Sequence, residues 1–522
     1  MVFFIALACS GPPKAGAPGE ESAAENDSAR DSGGAVAVTR IDDVPYLTRL
    51  SLDLRGTRPT LDEIASVQAD PLVIDDYISA WVAAPEFADR MMWIWNDAVH
   101  TAIWPDEYDR FDAPTFDEWK AMGAEPLQII RAIIDEDRPI TDVVTTQQTI
   151  ANPTLAALYG LPYTGKDEEW SWTSYQDGRP MAGILSSASF WLRYSADATN
   201  FNRRRANAVA GILLCSDFFN REGAFEFGID ESNLQNIENA VATEPGCLSC
   251  HSSLDPMAAF FGGFAERSED ADTIQSYTRY SAHTADWYTG WTPPAYYGHP
   301  GQDIEDLGAM IAADPRFSRC AARRVYEGLV HAELPGNSVL PDAFVDDDQQ
   351  RIRAFALRVV HSDAYRADDV RTLTTEQLYT TWSAMLGWDP GNSASEGLKP
   401  LMWSDDHRVL GGGTDDNTVL IRNTAPGVAS QVLLEWTSRQ AIPGALAADH
   451  ARAAEDRRLL THEDDVNAQL AAWYTLFLST PVAVDSASVA GLRALYDDAG
   501  GGDAGWQEAL SALIRHPRSV MY

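Results

Sequence analysis

Cys247-Leu248-Ser249-Cys250-His251 is a C-x-x-C-H run, the attachment signature of a c-type haem. The spacing has a chemical reason. One turn of helix places the two thiols so that each adds to a vinyl group of the porphyrin, and the adjacent histidine then lies under the iron as an axial ligand. The competing reading is a redox or structural cysteine pair that happens to precede a histidine. Little else in the chain would complete such a site, so one covalent haem c is expected, held by Cys247, Cys250 and His251.

The chain around this run reads mostly as helix. Upstream, Arg203 to Phe219 carries Val209, Ile212, Leu213 and Phe218 at the spacing of one buried helical face. Near the start of the ordered chain, Thr60-x-x-Glu63 after Pro59 is a capping box that opens a helix through Ile64 and Val67. A second helix is expected from Ile74 to Ala83, stopped at Pro85 ahead of an aromatic core cluster at Trp93 and Trp95. Leu127 to Ile134 and Leu155 to Leu158 follow, the latter ending at Gly160. Downstream of the motif, Trp287 to His299 reads as a loop rich in Gly, Pro, Tyr and Trp. Helices resume at Asp303 to Ala312, Cys320 to Val330, Ala468 to Leu478 and Trp506 to Ile514. Strand signals are sparse. The fold class expected is mainly α, a multi-domain helical protein with a cytochrome-c-like haem region in its middle. Phrases such as Ala84-Pro85-Glu86-Phe87 and Asp314-Pro315-Arg316-Phe317 recur where helices end, as convergent stop signals.

The 522 residues carry 77 acids against 39 bases, a net charge of -38, and only four of the bases are lysines. Such a surface repels phosphate backbones, so nucleic acid is not an expected partner. The first residues point outside the cytoplasm. Val2 to Ala8 is an apolar run ending at Cys9, which resembles the end of a lipoprotein signal whose cysteine is lipidated. Residues 11–38 are rich in Pro, Gly, Ala, Ser and acids and are expected to form a flexible tether. A membrane is thus a partner only through the N-terminal lipid, and the location expected is a bacterial cell envelope, periplasm or outer membrane. Export agrees with haem attachment, which takes place on the outer side of the membrane.

Several stretches resemble the large planctomycete-type cytochrome proteins. Leu50 to Thr60 (LSLDLRGTRPT) with Ala84 to Phe87 is similar to their opening domain. Asp137 to Thr141, Asn152 to Gly160, Arg179 to Ser186 and Thr199 to Ala206 are similar to the segments that follow. Cys247 to His251 with Leu254 to Met257 is the most specific match, and Asp314 to Phe317 with Cys320 resembles the downstream module. The resemblance spans roughly residues 45–370 and, more faintly, the last forty. Where the family continues with a Gly-Phe-Ala-Leu-Glu-like run, this chain has Met257 to Glu266 (MAAFFGGFAE), a looser pattern. These families are domains of unknown function carrying a c-type haem signature, so the resemblance implies haem and export and names no substrate.

The iron's other face stays open between three outcomes. A methionine would raise the potential and suit electron transfer, a second histidine would lower it, and an open position would admit peroxide or oxygen. Met257 is only six residues past His251, too close to cross the ring. Met310 and His299 are the candidates for a distal ligand, with His283 behind them. Cys215 and Cys320 flank the motif, and in an oxidising compartment they are expected to pair, closing a loop worth roughly 4 kcal/mol in the chain-entropy model. The arginines at 203–205 are candidates for haem propionates. A zinc site would need further separated ligands. Asp346 to Asp348 and Asp415-Asp416 lack calcium-loop spacing and read as solvated surface. Gly411 to Gly413 reads as a flexible turn, since no Gly-Lys-Ser/Thr follows it, and no nucleophile elbow appears.

The domains expected are a signal over 1–9, a tether over 10–38, an N-terminal helical domain over 39–125 and a helical segment over 126–178. The haem region with its downstream module follows over 179–370, and a C-terminal helical domain over 371–522. The leading function is electron transfer by a mono-haem cytochrome-like protein with a redox partner protein. A haem-dependent oxidoreductase or haem subunit with an open distal site is the first alternative, and a surface scaffold with structural haem the second.

Overall fold

The computed structural model describes residues 39–102, 115–166, 169–194, 201–218, 241, 243–264, 280–332, 334, 340, 350–388, 397–425 and 427–522. The signal-like run with Cys9, the tether and Asp346 to Asp348 lie outside these residues. The protein is mainly α and multi-domain, with two short antiparallel ladders, Thr149–Ala151 (β1) on Ser171–Thr173 (β2) and Ala295–Tyr296 (β3) on His299–Pro300 (β4). Among the described residues no helix is long and apolar enough to cross a membrane.

The first half opens with Asp43–Arg55 (α1), Leu61–Ala69 (α2), Val73–Ala83 (α3) and Pro85–Val99 (α4). Thr60 and Glu63 close the capping box of α2 reciprocally, so two orphan N–H groups are satisfied from within the turn. Pro85 does more than stop α3. It occupies the first turn of α4, as Pro315 and Pro517 do in later helices. Proline's missing N–H costs nothing there, so the recurring phrase is a helix-to-helix junction rather than a stop alone.

Phe116–Asp135 (α5) packs on α4, and Asp142–Thr145 (α6), Pro153–Tyr159 (α7) and Ala188–Arg193 (α8) lie around it. Arg203–Leu214 (α9) is followed by the motif helix, Pro245–Ala259 (α10). The segment expected as a loop, Trp287 to His299, instead holds the end of helix Ala282–Trp291 (α11) and most of the β3–β4 hairpin. Its strands are two residues each, too short for a period-2 signal. Its turn is Tyr297-Gly298, both with positive φ, at 46° and 89°. Ile304–Ala313 (α12), capped by the Asp303 carboxylate, and Pro315–Val330 (α13) follow, then Ile352–Val360 (α14).

The C-terminal half consists of Thr375–Leu386 (α15), Pro400–Trp403 (α16), Asp405–Leu410 (α17), Val428–His450 (α18), Val466–Leu478 (α19), Ala487–Asp498 (α20), Gly502–Ile514 (α21) and Pro517–Val520 (α22). Asp416 is not solvated surface. It is fully buried, accepting from Asn96 Nδ2 at 3.1 Å and Thr414 Oγ1 at 2.9 Å, with His100 Nδ1 at 3.2 Å. Gly411 to Gly413 is likewise a packed turn: a Cβ on Gly412 would meet the Asn423 carbonyl at 2.4 Å, with φ at +87°.

One apolar core runs from Tyr46 to Tyr365 and a second from Leu373 to Val520, with Leu52 of α1 reaching into the second. Leu50 to Thr60 forms one part of the seam between them. Asp53, fully buried, accepts from Tyr365 Oη at 2.9 Å, Arg371 Nη1 at 3.2 Å and Tyr522 Oη at 2.5 Å, and His331 Nε2 lies 3.4 Å away. Burial alone would raise the Asp53 carboxyl. The hydrogen bond and charge of His331, the Arg371 guanidinium and the Tyr522 hydroxyl outweigh it and hold the pKa at about 2. Arg58 crosses the same seam to Ser479 Oγ at 2.9 Å and the Arg518 carbonyl at 2.7 Å. Gly56 caps α1 at φ +75°, and its carbonyl accepts from Thr380 and Thr381 at 2.6 and 3.0 Å.

Candidate haem-attachment site

The motif helix α10 is amphipathic along its length rather than around it. Its N-terminal half, which carries the thiols, is partly or fully exposed. From Leu254 it turns inward, and Met257, Ala258 and Ala259 are buried together with Phe260, Phe261 and Phe264 just beyond. Each buried large apolar side chain is worth roughly 1.5–3 kcal/mol, so the buried half anchors the helix and the other half is presented. Pro256 removes one backbone donor within the helix, at the point where burial begins. α10 packs on α9 and on β3. α9 is tied in turn to α13 by the Cys215–Cys320 disulfide, whose Cα atoms are 5.4 Å apart.

Helical spacing puts Cys247, His251 and Asp255 on one stripe, each four residues from the next. Cys247 and Cys250 are both half-buried and outside any disulfide. Cys250 Sγ lies 3.7 Å from the Phe218 carbonyl. His251 is half-exposed, and its Nδ1 meets Asp255 Oδ1 at 3.0 Å. Arg203 clamps the same carboxylate through Nε at 2.6 Å and Nη2 at 2.9 Å. Burial pushes the Asp255 carboxyl up, but hydrogen bonds from His251 and Arg203, reinforced by the charge of Arg203, bring its pKa to about 2. An ionised acceptor at Nδ1 fixes the ring and would leave Nε2 as the nitrogen that could ligate an iron.

These residues fit covalent haem attachment. Two reduced thiols stand one helical turn apart on a presented surface, and the neighbouring imidazole is oriented through its far nitrogen. The Tyr297 ring stacks at 6.3 Å on Phe218, whose carbonyl lies 3.7 Å from Cys250 Sγ, while the Tyr297 hydroxyl is buried with no hydrogen-bond partner among the described residues. A phenol buried this way is costly unless an acceptor arrives.

The remaining sequence candidates are spread around the helix. Arg203 is committed to Asp255, and Arg205 is buried with its guanidinium on the carbonyls of Tyr194 and Phe264 at 2.9 and 2.5 Å, so neither is held in reserve for propionates. Met257 is fully buried in the core. Met310 Cε and the Phe260 ring flank Gly301, where an added Cβ would meet them at 2.7 and 2.8 Å. Phe260 is nine residues, about 13 Å of helix, beyond His251. His299 and His283 are exposed, on β4 and α11. Among the described residues no cluster of three His, Cys, Asp or Glu side chains is arranged for a metal ion. Sequence reasoning missed the part played by Asp255, although its signal was present as a carboxylate four residues after a histidine on a helix.

Residues 48–161 match the model of PSD4, a protein family of unknown function (DUF1592), a domain found in planctomycete-type cytochrome c proteins. The match runs from within α1 through α7 and stops well before the C-x-x-C-H run. Comparison with curated proteins and with solved structures returns no match.

Proposed function

We propose that the protein is an exported mono-haem c-type cytochrome-like protein that exchanges electrons with a redox partner protein. The observation that carries this reading is the stripe on α10: Cys247 and Cys250 presented together, with His251 held at Nδ1 by an Asp255 that Arg203 keeps ionised. The haem supplies the one-electron chemistry. The chain's own residues hold it, orient the proximal imidazole and, through Asp255, raise that ligand's basicity. Protein matured in a host with intact cytochrome assembly is expected to show a Soret band and the covalent mass gain of one haem. Absence of both overturns the reading. For the envelope location, Cys9→Ser is expected to shift the protein from the membrane to the soluble fraction.

A second reading is a haem whose distal position is open or loosely held. A carbon monoxide titration separates the two. Indifference to the gas favours a six-coordinate electron carrier, and ready binding favours oxygen or peroxide chemistry.

A further inference from the structure

We propose that the cleft between the two cores is a binding site for a small organic dianion, a phosphate monoester or a dicarboxylate, with Arg90 as its principal ligand. The cavity has a volume of about 340 Å³, within the roughly 300–1,000 Å³ range of small-molecule sites. Its walls come from both halves of the chain: α4 and α13 on one side, the 372–374 and 420–424 segments on the other. Its charge is the reverse of the molecule's. In a chain of net charge -38, four arginines (Arg90, Arg323, Arg324 and Arg422) line it against two carboxylates, Asp97 and Glu327.

Those two carboxylates are already taken. Arg422 pairs with Asp97 at 2.7 Å, and Arg323 with Glu327 at 2.9 Å. Arg324 donates to the carbonyls of Ile212 and Gly211 at 3.0 and 2.7 Å and forms no ion pair among the described residues, although the charges of Glu327 and Asp97 act on it from farther off. Arg90 is 5% exposed, its Nε is buried without a hydrogen-bond partner, and no ion pair reaches its guanidinium among the described residues. A buried guanidinium with nothing to neutralise it is costly, and an arriving anion relieves that cost. Arg90 and Arg324, neither within ion-pair distance of a carboxylate among the described residues, favour a doubly charged anion, and planar guanidinium forks suit paired oxygens. Ile94, Leu334, Leu373 and Leu420 supply apolar wall for an organic body. Because both cores contribute, the ligand ties them together.

The test is calorimetry and thermal melting of the full chain with glycerol 3-phosphate, inorganic phosphate, succinate and, at matched ionic strength, chloride. The expected result is saturable binding of a dianion with a raised melting temperature that chloride does not reproduce. Preference between glycerol 3-phosphate and succinate decides which headgroup is native. Arg90→Gln is expected to weaken binding at least tenfold. Ile421 is 72% exposed at the mouth, so Ile421→Glu is expected to weaken binding several-fold by repulsion while leaving the ligand-free melting temperature unchanged. If Arg90→Gln fails to fold, Ile421→Glu still decides. Chloride matching the dianions, or equal affinity in wild type and Ile421→Glu, overturns the proposal.

Discussion

His251 has two ring nitrogens with different prospects, and Asp255 assigns them. A carboxylate held ionised by Arg203 takes Nδ1, which leaves Nε2 as the nitrogen available to a ligand. Asp255→Asn keeps the shape and removes the charge. Haem attachment is expected to persist, and the midpoint potential to rise, because a less basic imidazole stabilises the oxidised iron less. A redox titration of the matured variant checks this, and an unchanged or lowered potential counts against the assignment. Tyr297 makes a second residue-scale prediction, because its buried hydroxyl lacks a partner among the described residues. In haem-free protein, Tyr297→Phe is expected to be neutral or stabilising by about 1 kcal/mol, since an unsatisfied polar group is removed. In matured protein the same change is expected to destabilise. Urea unfolding of both forms gives the comparison. The His251–Asp255 contact was legible in the sequence, as an i, i+4 pair on a helix. Tyr297 was not, because nothing local marks a tyrosine for positive φ in a two-residue turn whose strands are too short to alternate.

At the scale of elements, α10 is presented by what lies behind it. α9 packs against it, and α13 packs against α9 and is bonded to it through Cys215 and Cys320, which stand 105 residues apart. Removing this crosslink with Cys320→Ser is expected to cost roughly 4–5 kcal/mol, the loop-closure entropy of so long a loop. Denaturant unfolding of wild type with and without reductant should give the same difference. Phe261→Ala attacks the anchor from the other end, and an aromatic-to-alanine change in a core costs about 3–5 kcal/mol. Legibility followed the range of the forces involved. The capping box at Thr60 and Glu63 and the glycine stop at Gly160 are decided within four residues, so the sequence showed them. Pro85 was read as an ending because its pattern does not say that the next helix starts on the same residue. Asp416 was read as surface because its partners, Asn96 and His100, lie more than 300 residues upstream.

Across the whole molecule, the stretch Leu50 to Thr60, which lies within the family match apart from its neighbours in the second core, works as a joint. Its charges and hydroxyl partners come from residues 331, 365, 371 and 522, and no local pattern in the sequence connects them. The arginines of the cleft are equally scattered, which is why their meeting was invisible before the chain was folded. The joint makes stability depend on acid. Asp53 has a folded pKa of about 2 against an ordinary value of 3.8. A depressed carboxylate contributes stability that is fully present above the unfolded pKa and is lost as pH falls through the folded one. The contribution, about 2 kcal/mol, is therefore intact above about pH 5 and disappears between roughly pH 4 and pH 2. His331 adds in the same direction. Burial lowers its pKa, so the unfolded chain binds its proton first as pH drops below about 6.5. Asp53→Asn is expected to remove the acid-dependent part below pH 4 while costing about 3–5 kcal/mol at pH 7, because Arg371 loses its buried counter-charge. Calorimetric melts at pH 7 and pH 3 read both effects. With the joint weakened, the core from Leu373 to Val520 is expected to melt as a separate transition. A single transition at every pH would mean that the two cores are held together by something other than this network.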